Sequence, residues 1–231
     1  MRTHLQIAID GPAGVGKSTI GERLARELGY LYVDTGAFYR TLTYAALQNE
    51  VAPDDVAALE ALARRIHIEI TPPTTLDGRQ YTVLVDGKDV TPELRTPPVE
   101  AAVSRVSSHE PVRAALTLRM RMMADEKGVV MVGRDIGTVV LPDADLKIFL
   151  TTSIAERAKR RHGDLVAQHG PNSPTLATVE HEIAQRDAID APHTWVASDA
   201  VVLNNDHLEA DDVVRIILQT IAERRNRGQD R

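Results

Sequence analysis

Short apolar runs alternate with amphipathic stretches along most of this chain. Leu5 to Ile9 is an apolar run closed by Asp10-Gly11, the pattern of a buried strand. Ser18 to Leu28 carries Ile20, Leu24 and Leu28 at helical spacing, and Gly29 supplies a stop. Tyr30 to Val33 predicts a second strand, then Asp34-Thr35-Gly36 and a helix from Ala37 to about Leu47. Strand, helix, strand, helix is the order of a parallel α/β sheet.

The middle of the chain has another rhythm. After a helix at about Asp54 to Arg65, Ile66 to Thr71 and Gln80 to Asp86 are β-rich runs. Pro72, Pro73 and Asp77-Gly78 separate them, and Gly87 follows, so a small antiparallel patch is predicted inside the α/β framework. Helices are expected near Val99 to Ser107 and from Pro111 to Ala124. Val129 to Val132 and Leu146 to Leu150 read as central strands. Ser153 can cap a helix continuing through Arg161. Gly163 to Pro174 is polar and holds Gly170-Pro171-Asn172 and Ser173-Pro174, which predicts a mobile loop. A helix from Thr175 to about Ile189, a strand at Val201 to Leu203 and a final helix from Asp211 to Arg224 complete the pattern. That last helix turns Val213, Val214, Ile217 and Ile221 inward, and the polar tail Arg224 to Gly228 is expected to fray.

With 231 residues, 43% of them hydrophobic, the chain can bury a core as one domain carrying an insertion. No repeat or low-complexity segment interrupts it. No run reaches the roughly 18 apolar residues of a membrane span, and the stretch Met1 to Asp10 turns polar too early for a signal peptide. The cytoplasm is the expected compartment. Having no cysteine, the chain excludes disulfides, thiolate metal sites and cysteine nucleophiles. Its net charge of −6 argues against gripping a nucleic acid polymer and for a small phosphorylated ligand held by a local cationic cluster.

Gly11-Pro12-Ala13-Gly14-Val15-Gly16-Lys17-Ser18-Thr19 matches G-x-x-x-x-G-K-[ST] between a predicted strand and a predicted helix. Its glycines let several backbone N–H groups converge on phosphate oxygens, and the helix adds its positive end. Lys17 supplies a charge near the β- and γ-phosphates of ATP, and the Ser18 hydroxyl is a Mg²⁺ ligand. The loop alone does not name a reaction. No N-K-x-D guanine-reading stretch accompanies it, and the chain is short for a motor ATPase.

Two polar clusters follow predicted strands: Asp34-Thr35-Gly36-Ala37-Phe38-Tyr39-Arg40 and Gly133-Arg134-Asp135-Ile136-Gly137-Thr138. Parallel sheets bind ligands beyond the carboxyl ends of their strands, so both belong on the rim that holds the phosphate loop. Arg40 and Arg134 would converge there on a second anion. The competing reading is that Asp34 and Asp135 cap helices and the arginines merely pair with them.

At these residues the chain resembles the bacterial cytidylate (CMP) kinase family. The stretches that carry the likeness are I-A-I-D-G-P-A-G-V-G-K-S-T, D-T-G-A-F-Y-R and G-R-D-I-G-T-V-V-L-P-D-A, with R-A-K-R-R at Arg157 to Arg161 and R-D-A-I-D at Arg186 to Asp190. The resemblance implies a P-loop nucleoside monophosphate kinase-like fold: a parallel sheet flanked by helices, a β insertion on the substrate side and a helical lid. It implies an acceptor region at 36–112 and a lid at 153–190. It also implies that Thr35, Arg40 and Arg134 contact the monophosphate, with Tyr39 among the acceptor-binding residues. Ser104, Arg113 and Asp135 would surround the cytosine, and Arg186 and Asp190 would lie near the ribose and phosphate.

Arg157, Arg160 and Arg161 fall at i, i+3 and i+4 on one helix face. By the resemblance, Arg157 and Arg160 line the ATP region, while Arg157 and Arg161 join Lys17 and Arg134 in the transfer step. One position departs from the pattern. Members of the family commonly carry another arginine seven residues after the one matching Arg186, and here that residue is His193. The expected activity is ATP- and Mg²⁺-dependent phosphorylation of CMP and dCMP by a monomer. The alternatives are a kinase for UMP, AMP or a shikimate-like acceptor, and a nucleotide-gated binding module without phosphoryl transfer.

Overall fold

The structure, a computed structural model, describes residues 4–229. Met1 to Thr3, the start of the N-terminal stretch read above, lie outside the described residues. Five parallel strands form the main sheet: β1 (Gln6–Asp10), β2 (Leu31–Asp34), β6 (Val129–Gly133), β7 (Leu146–Thr151) and β8 (Val201–Asn204), in the order β2-β6-β1-β7-β8. β1 sits in the centre and is buried throughout, which explains the apolar Ile7-Ala8-Ile9 at its middle. Its register places Asp10 beside Gly133 of β6, bringing two of the polar strand ends together.

Helices cover the sheet: α1 (Lys17–Leu28), α2 (Thr35–Gln48), α3 (Val56–Arg65), α4 (Pro97–Ser107), α5 (Glu110–Glu126), α6 (Ile154–His169), α7 (Leu176–Asp190) and α8 (Ala210–Gln229). α1 stops at Gly29, whose φ of 65° only glycine adopts without strain. Val213, Val214, Ile217 and Ile221 of α8 are buried as the spacing predicts. Each such side chain contributes about 1.5–3 kcal/mol on leaving water. The insertion is a separate antiparallel sheet of β3 (Ile68–Thr71), β4 (Thr82–Val85) and β5 (Lys88–Asp89). β5 has two residues, too few to leave a period in the sequence. Tyr81, at the foot of β4, packs its ring 5.9 Å from that of Tyr32, so the insertion leans on the edge strand β2.

Two expectations fail. The polar run after Arg161 is no loop: α6 continues through Gly163 to His169, and a 3-10 turn occupies Gly170–Asn172. A glycine inside a helix costs about 1 kcal/mol relative to alanine, and packing of α6 on α7 offsets that. The break comes at Gly170, with φ of 58°, where the Ser173 hydroxyl donates to the Leu165 and Gly170 carbonyls. The tail from Arg224 to Gly228 also remains helical, because α8 runs through Gln229.

Candidate active site

The phosphate loop leaves β1 at Asp10 and enters α1 at Lys17. Gly16, with φ of 90°, is the residue before the helix, a left-handed conformation that frees the α1 amides to face outward. At Gly11 an added Cβ would strike the Leu150 carbonyl of β7, so the chain passes where only glycine fits. Lys17 is buried and its ammonium donates to the carbonyls of Gly11 (2.7 Å) and Pro12 (2.6 Å). Burial first, and the charge of Arg134 second, hold its pKa well below that of an ordinary lysine.

β2 ends at Asp34, whose carboxylate accepts from the Gly36 N–H at 2.9 Å and caps α2. Thr35 donates its hydroxyl to the Val132 carbonyl at 3.0 Å, fastening this junction to β6. β6 ends in Gly133-Arg134-Asp135, followed by a π-helical turn at Ile136–Val140. The Asp10 carboxylate accepts from the N–H groups of Ile136 (2.8 Å) and Gly137 (2.7 Å), pinning that turn to the root of the phosphate loop.

Burial outweighs those hydrogen bonds and raises the Asp10 pKa to about 6. A carboxyl with a raised folded pKa binds its proton in the folded chain at pH values where the unfolded chain has released it. Stability from this group therefore falls as pH rises from about 4 to about 6. The stability advantage of the unmodified chain over Asp10→Asn should shrink across that interval in urea titrations. A difference that stays flat or grows would contradict the assignment.

One cavity of about 380 Å³ gathers most of the expected residues. Ala13, Gly14, Lys17 and Ser18 line one end; Thr35, Tyr39, Arg40, Ser104, Arg113, Arg134, Asp135, Arg186 and Asp190 are among the residues lining the remainder. The arginines do pair with acids, as the competing reading has it, but not with their sequence neighbours. Arg40 donates to Glu100 at 2.9 Å from α4. Arg134 donates twice to Asp190 (3.1 and 2.9 Å), which also takes Arg186 at 3.2 Å. Arg186 reaches the Ser104 hydroxyl at 3.1 Å. Asp34 is a helix cap, whereas Asp135 makes no cap bond and pairs with Arg113. Arg113 lies 5.5 Å over the Tyr39 ring, and burial pushes the Tyr39 hydroxyl up to about 12.

The three arginines of α6 part company. Arg157 is buried, donating to the Ala13 carbonyl at 2.8 Å and to both oxygens of Asp187 at 2.9 and 2.5 Å. It thereby ties the phosphate loop to α7. Arg160 donates to the Asn205 carbonyl at 2.8 Å and to Glu156 at 3.1 Å. Arg161 is exposed and does not line the cavity, because a shared helix face spreads over more than one neighbour. Gly11, Pro12, Val15, Gly16 and Thr19 shape the loop without lining the cavity.

Several contributors escaped the sequence. Asn205, after β8, donates its amide to the Val15 carbonyl at 2.9 Å and meets Thr152, bracing the loop from beneath. Arg95 also lines the cavity, as does His193, the position that departs from the family pattern. Asp10 carried a legible signal, as an acid closing a mostly apolar strand; Asn205 and Arg95 carried none.

No group of three or more His, Cys, Asp or Glu able to hold a metal occurs among the described residues. Ser18 is exposed at the cavity, which suits a hard cation that takes one protein hydroxyl and keeps phosphate and water ligands. Among the same residues no helix is long and apolar enough to cross a membrane.

Comparison with known proteins identifies the family. The family model described as cytidylate kinase matches residues 7–223. The cytidylate kinase of Chloroflexus aggregans is 48% identical over 218 residues, covering 94% of each chain. That of Roseiflexus castenholzii is 46% identical over 225 residues, covering 97% of this chain and 96% of its own. In backbone alone, an uncharacterised protein from Eubacterium ventriosum aligns with a TM-score of 0.50 at 15% identity, covering 96% of this chain and 99% of that one. A parallel sheet with the phosphate loop at its rim, a cavity that joins that loop to Arg40 and Arg134, and a family match over nearly the whole length lead to one assignment: the chain belongs to the cytidylate kinase family.

Proposed function

We propose that this chain transfers the γ-phosphoryl group of ATP to CMP and dCMP, giving ADP with CDP or dCDP. The observation that carries the reading is one cavity joining Lys17 and Ser18 to Arg40, Arg134 and the Arg113–Asp135 pair. The loop end accepts a polyphosphate and the far end accepts a second anion attached to a polar base.

The acceptor's attacking oxygen is already ionised at neutral pH, so no strong general base is required. The residues act by alignment and charge. The loop amides and Lys17 hold the donor phosphates, with Arg157 and Arg160 on the side of α6. Ser18 would be the protein ligand to Mg²⁺, which when bound neutralises charge between the phosphates. Arg40, Arg134 and Thr35 seat the acceptor phosphate; Arg134 would exchange Asp190 for it, leaving Asp190 and Arg186 to the sugar. Arg161 has no assigned contact and would join the transferring group only by movement of the lid, residues 153–190. Residues 36–112 form the acceptor region.

Cytosine presents a 4-amino donor beside acceptors at N3 and O2, which suits a carboxylate with an arginine. Uracil would oppose its own O4 to Asp135, and a buried site punishes unpaired polar groups. Asp135→Ala should therefore lose more activity on CMP than on UMP, in steady-state assays of both. Equal losses would remove Asp135 from base recognition. Because one chain supplies the whole cavity, the enzyme is proposed to work as a monomer, in the cytoplasm, on small molecules rather than polymers. ADP formation with ATP, Mg²⁺ and each common nucleoside monophosphate tests the reading. CMP and dCMP should be the preferred acceptors, and a preference for AMP or UMP would overturn it.

A further inference from the structure

The central strand β1 ends on a buried acid, a costly way to finish a strand. Asp10 is 4% exposed and stands beside Gly133 of β6 and Phe149 of β7. Burial penalises its charged form, so above about pH 6 the folded chain carries a charge that works against stability. What the charge supplies is a group that only accepts. Oδ1 takes the Ile136 N–H at 2.8 Å and Oδ2 takes the Gly137 N–H at 2.7 Å, one amide to each oxygen. A proton on either oxygen, or an asparagine in its place, turns a donor toward one of those amides and leaves one good bond of the two.

Those amides belong to the turn that carries the acceptor groups. Ile136 and Gly137 follow Arg134 and Asp135 directly. The turn is packed closely there, since a Cβ on Gly137 would meet the Lys147 side chain at 3.1 Å and Asp10 Oδ2 at 3.3 Å. On its other side Asp10 is one peptide bond from Gly11, whose carbonyl receives the Lys17 ammonium at 2.7 Å. One side chain therefore links the donor loop to the acceptor turn. The charged groups facing it are Lys17 of α1, Asp135 before the turn and Lys147 of β7, the last held by Asp199 at 2.9 Å; β6 contributes none.

We infer that ionised Asp10 is a positioning residue for phosphoryl transfer: by holding Ile136 and Gly137 it fixes Arg134 and Asp135 against Lys17, and the rate falls when Asp10 takes up a proton. The inference rests on the proposed placement of Arg134 and Asp135 on the acceptor side. Asp10 itself touches neither substrate. It acts through the turn, where a displacement well under the size of an atom is enough to spoil the alignment of the reacting groups.

The test compares kcat for CMP, with saturating ATP and Mg²⁺, in the full-length chain and in Asp10→Asn from about pH 5 to about pH 8. The phosphates of the substrates titrate alike in both, so the ratio of the two rates isolates residue 10. At about pH 8 the variant should be about tenfold slower, a moderate misalignment loss, with the KM for ATP within about twofold. At about pH 5 the gap should close to about twofold, because most of the unmodified enzyme is then protonated at Asp10. A ratio that does not change with pH, the mark of a merely structural loss, would overturn the inference. So would equal rates at about pH 8, or a loss confined to the KM for ATP. Should Asp10→Asn fail to fold, amide NMR of the unmodified chain decides. The Ile136 and Gly137 signals should move together with a midpoint near 6, and signals that stay fixed across the range would sink the idea. CMP proving inert at every pH would instead bring down the underlying reading of the acceptor site.

Discussion

Lys17→Ala is expected to reduce turnover by more than about a hundredfold, the usual consequence of deleting a cation that meets charge developing in the transition state. The side chain is buried, points back along the loop to the Gly11 and Pro12 carbonyls, and feels Arg134 from the acceptor side. It is therefore the cation at the seam of the two halves of the cavity. Alanine removes the ammonium without altering the glycines that set the loop's path, so folding should survive. Coupled measurement of ADP release, with far-ultraviolet circular dichroism as the folding control, checks both statements. A near-normal rate in a folded variant would contradict the placement of the phosphates.

The second large effect is expected at Arg134. Its Nε and Nη2 both donate to one oxygen of Asp190, Oδ2, the same atom that receives Arg186. The planar guanidinium fork that converges on this one oxygen can spread the same two N–H donors over two phosphate oxygens. Arg134→Ala should lower kcat/KM for CMP by about a hundredfold or more, in line with loss of a charge-stabilising donor, while the KM for ATP moves little. Arg134→Lys should recover only a small part, because a point charge cannot reproduce the fork. A variant that instead raised the KM for ATP and spared CMP would place Arg134 on the donor side.

Much of this arrangement was legible before any coordinates. The apolar runs at β1, β6 and β7 are long enough to be strands and are flanked by the residues that end them. A parallel sheet then forces the groups after β1, β2 and β6 onto one rim. That is why Lys17, Arg40, Arg134 and Asp135 could be expected together. The pairing partners were not legible, because they lie far away in sequence. Asp187 receives Arg157 across 30 residues and Asp190 receives Arg134 across 56. The R-D-A-I-D stretch marks both acids, but nothing local says which arginine each receives.

The misread segment is equally physical. Gly163 and the Gly170-Pro171-Asn172 cluster look alike as breakers, yet only the second breaks α6. Gly163 has open space around it and helical neighbours on both sides, whereas Gly170 adopts a left-handed φ and is followed by proline. A glycine's effect is set by the packing available to its neighbours, which a single sequence does not display. The three arginines of α6 teach the same lesson, since one turn of helix separates a buried phosphate-loop brace from an exposed charge.

What everything depends on is that donor and acceptor phosphates meet across a single cavity, between Lys17 and Arg134. Crystals grown with CMP test this most directly. The nucleotide should be found with its phosphate against Arg40 and Arg134 and its base against Arg113 and Asp135. A CMP molecule bound elsewhere, with those four side chains still paired as they are here, would contradict it.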